Sequence, residues 1–126
     1  MGNETNTMNG NHSIAVIVDA YMKGFRGYDV DLAYEAIKKT SMQTRAGMNY
    51  VQKLEYIPAD VELESVGNAL EYAIDDWCVT QMAKALNKQD DYEYFSKRAK
   101  LYTLYFDTKT EFMRGKLKNG QWREPF

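Results

Sequence analysis

The chain has 126 residues and a formal charge of −2, from 16 Lys and Arg against 18 Asp and Glu, which suits one domain or a piece of a larger one. That balance offers no basic face for nucleic acid and no electrostatic attraction to anionic lipid, and 44% hydrophobic with 27% charged residues is globular rather than disordered composition. A single cysteine, Cys78, excludes an internal disulfide and a cysteine-built zinc or iron–sulfur site within the chain. The longest apolar run, Ile14 to Val18, is too short to span a membrane. The first residues have neither the basic start nor the apolar stretch of a signal peptide, and Asn6 stands where a myristoylation motif needs Ser or Thr. With 10 Tyr, 5 Phe and 2 Trp, the chain is rich in half-polar rings, which serve both amphipathic helices and carbohydrate-facing surfaces.

Residues 1–12 read as a polar loop of Gly, Asn and Thr with one His. A helix pair is expected over 13–44. Ser13 can open the first helix and Gly24 close it. Its run of Ile14, Val16, Ile17 and Val18 also fits a strand, but Ala20, Tyr21, Met22 and the closing glycine favour a helix that is apolar nearly all round. Asp29 or Asp31 caps the second helix, which runs to about Thr44 with Ala33, Tyr34, Ile37 and Ser41 on its inner face. A short helix follows over 47–56, and Pro58 breaks it by disfavouring helical geometry at Ile57.

A second pair is expected over 65–106. Ser65 with Asn68 looks like the cap of a long helix to Leu86, whose apolar stripe includes Leu70, Ile74, Trp77, Cys78 and Met82. Asp90 or Asp91 opens its partner, which runs to about Phe106. Residues 112–123 read as a hairpin turning at Asn119-Gly120 as a type I′ turn. In each pair the first helix is the more apolar, as an inner helix followed by an outer one would be.

Few residues point to chemistry. His12, the only histidine, reads as a hydrogen-bonding loop residue, and Ser13 and His12 are adjacent and diverge, so they make no nucleophile–base dyad. Asp75-Asp76-Trp77 places two acids and an indole inside a mostly apolar helix, with Glu71 one turn before Asp75. Such acids face solvent, pair with Arg or Lys, or line a polar pocket with Trp77 as a sugar platform. The segment Gly2 to Thr7 is dense in groups that donate and accept hydrogen bonds, either as a capping leader or as a ligand-contacting loop. Asn3-Glu4-Thr5 and Asn11-His12-Ser13 also fit the N-glycosylation acceptor pattern.

Four stretches together carry more. They are Gly-Asn-Glu-Thr-Asn-Thr-Met (2–8) with His12-Ser13; Val16-Ile17-Val18-Asp19-Ala20-Tyr21; Tyr56-Ile57-Pro58-Ala59-Asp60 followed by Glu64-Ser65-Val66 and the run Leu70 to Cys78; and Phe112-Met113-Arg114-Gly115 with Trp122-Arg123-Glu124-Pro125-Phe126. In this order they resemble the catalytic domain of glycoside hydrolase family 92, calcium-dependent exo-α-mannosidases, over essentially the whole chain. Asn9 departs from the pattern, where an aliphatic residue is expected, and Arg45-Ala46-Gly47 is divergent.

The resemblance implies an all-α fold of paired inner and outer helices, part of an (α/α)6 toroid, with a short C-terminal β-hairpin. It implies inverting hydrolysis of terminal α-mannosides, α-1,2-mannosidase-like, by a Glu acid and an Asp-centred base, with Ca²⁺ holding the sugar. In the family the acid lies in a Thr-Glu-Gly-Asn-type segment beyond Phe126, and the base and calcium ligands lie later still. The chain is therefore expected to be an internal segment of the catalytic domain, inactive alone, with no catalytic residue and no metal ligand of its own. Asn3, Glu4, Asp75, Asp76 and Trp77 are the candidates for lining or supporting the sugar pocket. The parent is expected to be periplasmic or secreted and to bind a mannose-containing glycan, with no nucleic acid and no membrane as partner. The isolated segment is expected to self-associate through its apolar helices, by Ile14, Ile17, Trp77 and Met82. The alternative is a stand-alone tetratricopeptide-like binding module, on the phrase Tyr94-Phe95-Ser96-Lys97-Arg98-Ala99, although no period near 34 residues recurs.

Overall fold

The structure, a computed structural model, describes residues 8–125. It is all-α with a small antiparallel hairpin. The helices are α1 (Ser13–Met22), α2 (Val30–Ser41), α3 (Met48–Leu54), α4 (Ser65–Ala85) and α5 (Gln89–Arg98). A 3-10 helix, Leu101–Tyr105, leads into β1 (Phe106–Asp107) and β2 (Phe112–Met113).

The β-branched run at 14–18 is helical because burial outweighs its small propensity cost. Ile14 and Val18, one turn apart, both sink into the core. Gly24 closes α1 at φ +90, with its N–H donating to the Tyr21 carbonyl and the Phe25 N–H to the Ala20 carbonyl, each at 3.1 Å. The residue before α1 is His12, and neither it nor Ser13 supplies a side-chain cap. Asp29 does cap α2, accepting from the Leu32 N–H at 2.9 Å. That helix ends at Ser41 rather than Thr44, and α4 starts after Glu64 with no side-chain cap from Ser65.

The last helix of the second pair is shorter than its periodicity predicts. Regular α-structure stops at Arg98, and the chain tightens into the 3-10 helix. Two long-range ties account for this. Arg98 is drawn down to Asp76, and the Tyr105 hydroxyl accepts the Ile57 N–H at 2.6 Å. The tighter coil brings Tyr105 inward.

The hairpin also differs from expectation. Pairing is Phe106↔Met113 and Asp107↔Phe112, so the strands precede the Asn119-Gly120 turn. That turn is closed by a single bridge, Lys116↔Trp122. The Gly120 N–H donates to the Leu117 carbonyl at 2.8 Å and the Leu117 N–H to the Gln121 carbonyl at 2.7 Å. Gly120 has φ +84 and Asn119 does not share its positive φ. This is a three-residue loop with a glycine bulge, not the type I′ turn, which needs positive φ at both residues.

α4 is the centre of the fold, touching α1, α2, α5 and the 3-10 helix. Its C-terminal half packs with Ile14, Val18, Tyr34, Ile37 and Phe95, and its N-terminal half with Met48, Val51, Ile57 and Tyr105. Each fully buried aliphatic there contributes about 1.5–3 kcal/mol. Ile14 and Met82, expected on an exposed apolar patch, are fully buried because α1 and α4 face each other. Trp77, by contrast, is 56% exposed.

Candidate functional site

Residues 9–12 lie along the N-terminal half of α4, over Gly67, Glu71 and Asp75. These three are spaced i, i+4, i+8 and so share one helix face. Two glycines allow the approach. A Cβ on Gly67 would stand 2.8 Å from the Asn9 amide nitrogen, and one on Gly10 would stand 2.7 Å from His12 Cε1 and 2.9 Å from Glu71 Cβ. Gly10 also takes φ +81, which disfavours any side chain.

Asp75 is the anchor. Its side chain is 2% exposed, and Oδ2 accepts the Asn11 backbone N–H at 2.6 Å. Asn11 is held from the other side by Arg45 Nη2, which donates to its Oδ1 at 2.9 Å. Oδ1 of Asp75 has no hydrogen-bond partner among the described residues, and His12 Nδ1 lies 3.4 Å from it. His12 Nε2 lies 3.4 Å from Glu71 Oε2. An imidazole therefore stands between a buried and a part-exposed carboxylate. Burial raises the Asp75 pKa, against the pull of the Asn11 N–H and His12.

The Asp75-Asp76-Trp77 run points three ways, because each residue turns about 100° around a helix. Asp76 is also 2% exposed and faces α5, where Arg98 Nε donates to its Oδ2 at 2.9 Å and Arg98 Nη2 donates to the Ser41 carbonyl at 3.1 Å. Burial pushes the Asp76 carboxyl up to about 7, against the attraction of Arg98. Trp77 turns outward into an apolar groove of about 340 Å³ lined by Leu70, Ile74, Ala99 and Tyr102. Asp75, Asp76 and Trp77 thus do not form one cluster. Asn3 and Glu4 lie outside the described residues.

The C-terminal segment is fastened to the same end of α4. The Ala59 N–H donates to the Lys116 carbonyl at 2.7 Å, and the Lys118 N–H to Asp60 Oδ1 at 2.9 Å. A Cβ on Gly115 would stand 2.8 Å from Ala59 Cβ and 3.6 Å from Ser65 Oγ. Asp107 and Arg114 pair at 2.6 Å in a buried contact, and Arg114 also donates to Glu124 at 2.7 Å. Arg114 holds the Asp107 carboxyl below the usual carboxylate range.

A calcium ion wants six to eight oxygen ligands. Among the described residues no group of three or more His, Cys, Asp or Glu could hold a metal ion. Asp76 and Asp107 are taken up by arginines. The described residues do not fit a calcium site. The role of His12 was not visible in the sequence. The pairing of Glu71 and Asp75 on one helix face shows where a donor could dock, but not that the chain's single histidine reaches it.

The model of the glycosyl hydrolase family 92 catalytic domain matches residues 1–126. A family 92 α-mannosidase of Bacteroides thetaiotaomicron superimposes with TM-score 0.94 at 44% identity, over 98% of this chain and 17% of that one. The same enzyme has been solved with mannoimidazole. A family 92 inverting mannosidase of the same organism has TM-score 0.92 and 32% identity, over 98% of this chain and 18% of that one. A protein of Arthroderma benhamiae described as an uncharacterized secreted glycosidase is 31% identical over 87% of this chain and 16% of its own length. The chain thus spans about a sixth of the relatives it matches.

Proposed function

The chain belongs to glycosyl hydrolase family 92, and from that premise we propose that it is an internal part of an exo-α-mannosidase. The whole enzyme removes terminal α-mannose from glycans, α-1,2-linked mannose in the first instance, with inversion at the anomeric carbon. The observation that carries this reading is the 44% identity to an α-mannosidase along nearly the whole chain at TM-score 0.94. The mannoimidazole complex of that relative supports a mannose-type ligand, and the other neighbour is an inverting mannosidase. The family places the tetratricopeptide-like alternative aside, and the lengths of the helix pairs agree with that, α4 having 21 residues and α5 only 10.

Within the parent, this part is one arc of an (α/α)6 toroid, its helix pairs serving as inner and outer members over 13–44 and 65–106. The general acid, the general base and the calcium ligands come from elsewhere in the parent. Inversion requires the two carboxyl groups to stand roughly 6.5–9.5 Å apart, with water between them and the sugar. This chain contributes framework and a polar loop. Asn3, Glu4, Asp75, Asp76 and Trp77 are its candidates for contacting or supporting the bound glycan. The parent is secreted or periplasmic, in line with the fungal relative's description. The isolated chain is inactive and self-associates.

The test compares the full-length protein and the 126-residue chain on α-1,2-mannobiose, with calcium and with a chelator. The full-length protein releases mannose, first as the β-anomer by NMR, and loses activity with the chelator. The chain alone releases none. No mannose from the full-length protein overturns the mannosidase reading, and turnover by the chain alone overturns its assigned inactivity.

A further inference from the structure

α1, α2, α5 and the 3-10 helix pack around α4, yet one face of it stays bare. Leu70, Ile74, Trp77, Gln81 and Lys84 follow one another at alternating spacings of four and three residues, the pattern of a straight seam along a helix. Trp77 and Met82, five residues apart, lie roughly 140° apart round the axis. The seam therefore points away from Ile14 and Val18, against which Met82 packs. Ile74 and Trp77 on it are more than half exposed. The groove of about 340 Å³ beside them continues into a second hollow of about 370 Å³, which shares Trp77, Ala99 and Tyr102 and is lined further on by Gln81, Lys84 and Lys100. Leu70 to Lys84 spans roughly 21 Å of helix. The two hollows form one trough, dry in its first part and cationic in its second.

We propose that this trough seats a helix of the parent protein drawn from polypeptide outside these 126 residues, with its apolar stripe on Leu70, Ile74 and Trp77 and one of its carboxylates against Lys84 and Lys100. Resting on the reading of the chain as part of a longer α-mannosidase, this assigns the trough to that enzyme's own remaining polypeptide. There is ample length to fill it, because the chain covers only 17% of the mannosidase on which it superimposes. A helix matches the trough in shape: roughly 21 Å is about four turns, and anchors spaced i, i+4 and i+7 are how an amphipathic helix enters a groove. A glycan does not match it. Trp77 and Tyr102 offer rings, but Leu70, Ala73, Ile74 and Ala99 offer no side-chain group to hold sugar hydroxyls. Lys84 and Lys100 are exposed and form no ion pair among the described residues. An acid on the incoming helix neutralises both at once and fixes its register along the trough. Trp77 thereby serves the glycan pocket as support, from a place where protein covers its indole.

The test uses the full-length protein, as wild type and with Trp77→Glu, Trp77→Phe and Lys84→Gln. Hydroxyl-radical footprinting read by mass spectrometry reports which side chains water reaches. Carbodiimide cross-linking joins an amine to a carboxylate in salt-bridge contact, and a mixture of isotope-labelled and unlabelled protein separates links within one copy from links between two. Trp77 resists oxidation, and Lys84 or Lys100 is linked, within one copy, to an Asp or Glu outside the 126 residues. Trp77→Glu opens Tyr102 to oxidation and lowers the thermal midpoint by several degrees, whereas Trp77→Phe, which keeps an apolar ring, recovers most of that loss. Lys84→Gln loses the links made by that residue. Should Trp77→Glu not fold, the wild-type footprint and cross-links decide the matter. Rapid oxidation of Trp77 in the wild type overturns the inference. So does protection that appears only with mannoimidazole, which makes the trough a glycan site, and so do links between copies, which make it a dimer contact. Protection with no link from either lysine overturns the acidic partner. Mannose release from α-1,2-mannobiose is followed in parallel. An inactive wild type with Trp77 protected and the lysine linked overturns the mannosidase reading alone, and an active one with Trp77 oxidised overturns this inference alone.

Discussion

Asp76 and Arg98 meet at 2.9 Å with both side chains almost wholly buried, 2% and 5% exposed. The pair lies between the two apolar clusters that α4 joins. It is a polar pin through the centre of the fold. Arg98 Nη2 also donates to the Ser41 carbonyl and Nη1 to the Met42 sulfur, so one guanidinium ties α5 to both α4 and the end of α2.

Removing one partner leaves a buried charge uncompensated. Arg98→Ala is expected to cost about 3–5 kcal/mol in urea denaturation. The double variant Asp76→Leu with Arg98→Met removes both charges and should be markedly more stable than Arg98→Ala. An Arg98→Ala loss under about 1 kcal/mol, the scale of an exposed pair, would show that the pair is solvated in solution.

Asp76 also sets a pH dependence. Its carboxyl titrates near 7 in the folded chain, chiefly because of burial, and near 4 when unfolded. Between those values the folded state holds a proton that the unfolded state has released. Stability therefore falls as pH rises through this window. Asp75, raised in the same direction, adds to the slope. The thermal midpoint should drop between about pH 4 and pH 7, and Asp76→Asn should flatten that drop whatever it does to the absolute midpoint. Asp107 acts oppositely and lower: Arg114 holds its carboxyl down, so its contribution is lost only as pH falls below the ordinary carboxylate range.

Two glycines separate backbone strain from packing. Gly24 and Gly47 have φ +90 and +84. A Cβ on Gly24 meets nothing within 4 Å, whereas one on Gly47 would lie 2.7 Å from Ile57 Cγ2 in the core. Gly24→Ala should cost about 1–2 kcal/mol from the left-handed conformation alone. Gly47→Ala should cost a further 1–3 kcal/mol or so from overpacking. Equal losses by calorimetry would refute the role given to Ile57.

The outward stripe of α4 is where association of the isolated chain is expected. Ile74 and Trp77 are 54% and 56% exposed and share a groove with Leu70 and Tyr102. Contiguous apolar surface of this kind promotes assembly. Light scattering should find the 126-residue chain larger than a monomer, and Trp77→Glu with Ile74→Glu should shift it toward one. A monomer at high concentration in the unmodified chain would defeat this expectation.

Periodicity and caps made most of the framework readable. Asp29 before α2, Gly24 after α1 and Pro58 after α3 each stand where local chemistry demands a boundary. The ordered motifs 2–8 with 12–13, 16–21, 56–60 with 64–66 and 70–78, and 112–115 with 122–126 carry the family resemblance. The errors fell where long-range contacts override local preference. α5 stops early because Arg98 and Tyr105 are claimed by Asp76 and Ile57. The strands form at 106–113, with the Asn119-Gly120 turn outside them.

The helices, their apolar faces and the family follow from the order of residues alone, because helical periodicity, capping and motif order are local or linear properties of the chain. The surroundings of the polar residues follow from packing in three dimensions. Asp75, Asp76 and Trp77 are neighbours in the chain but turn to three surroundings, because a helix rotates each about 100° from the last. His12 and Asp75 are 63 positions apart in number and 3.4 Å apart in space. Which acid meets an arginine, which meets an imidazole and which ring meets solvent follows from the packing of helices around α4, and no pattern within one helix carries that information.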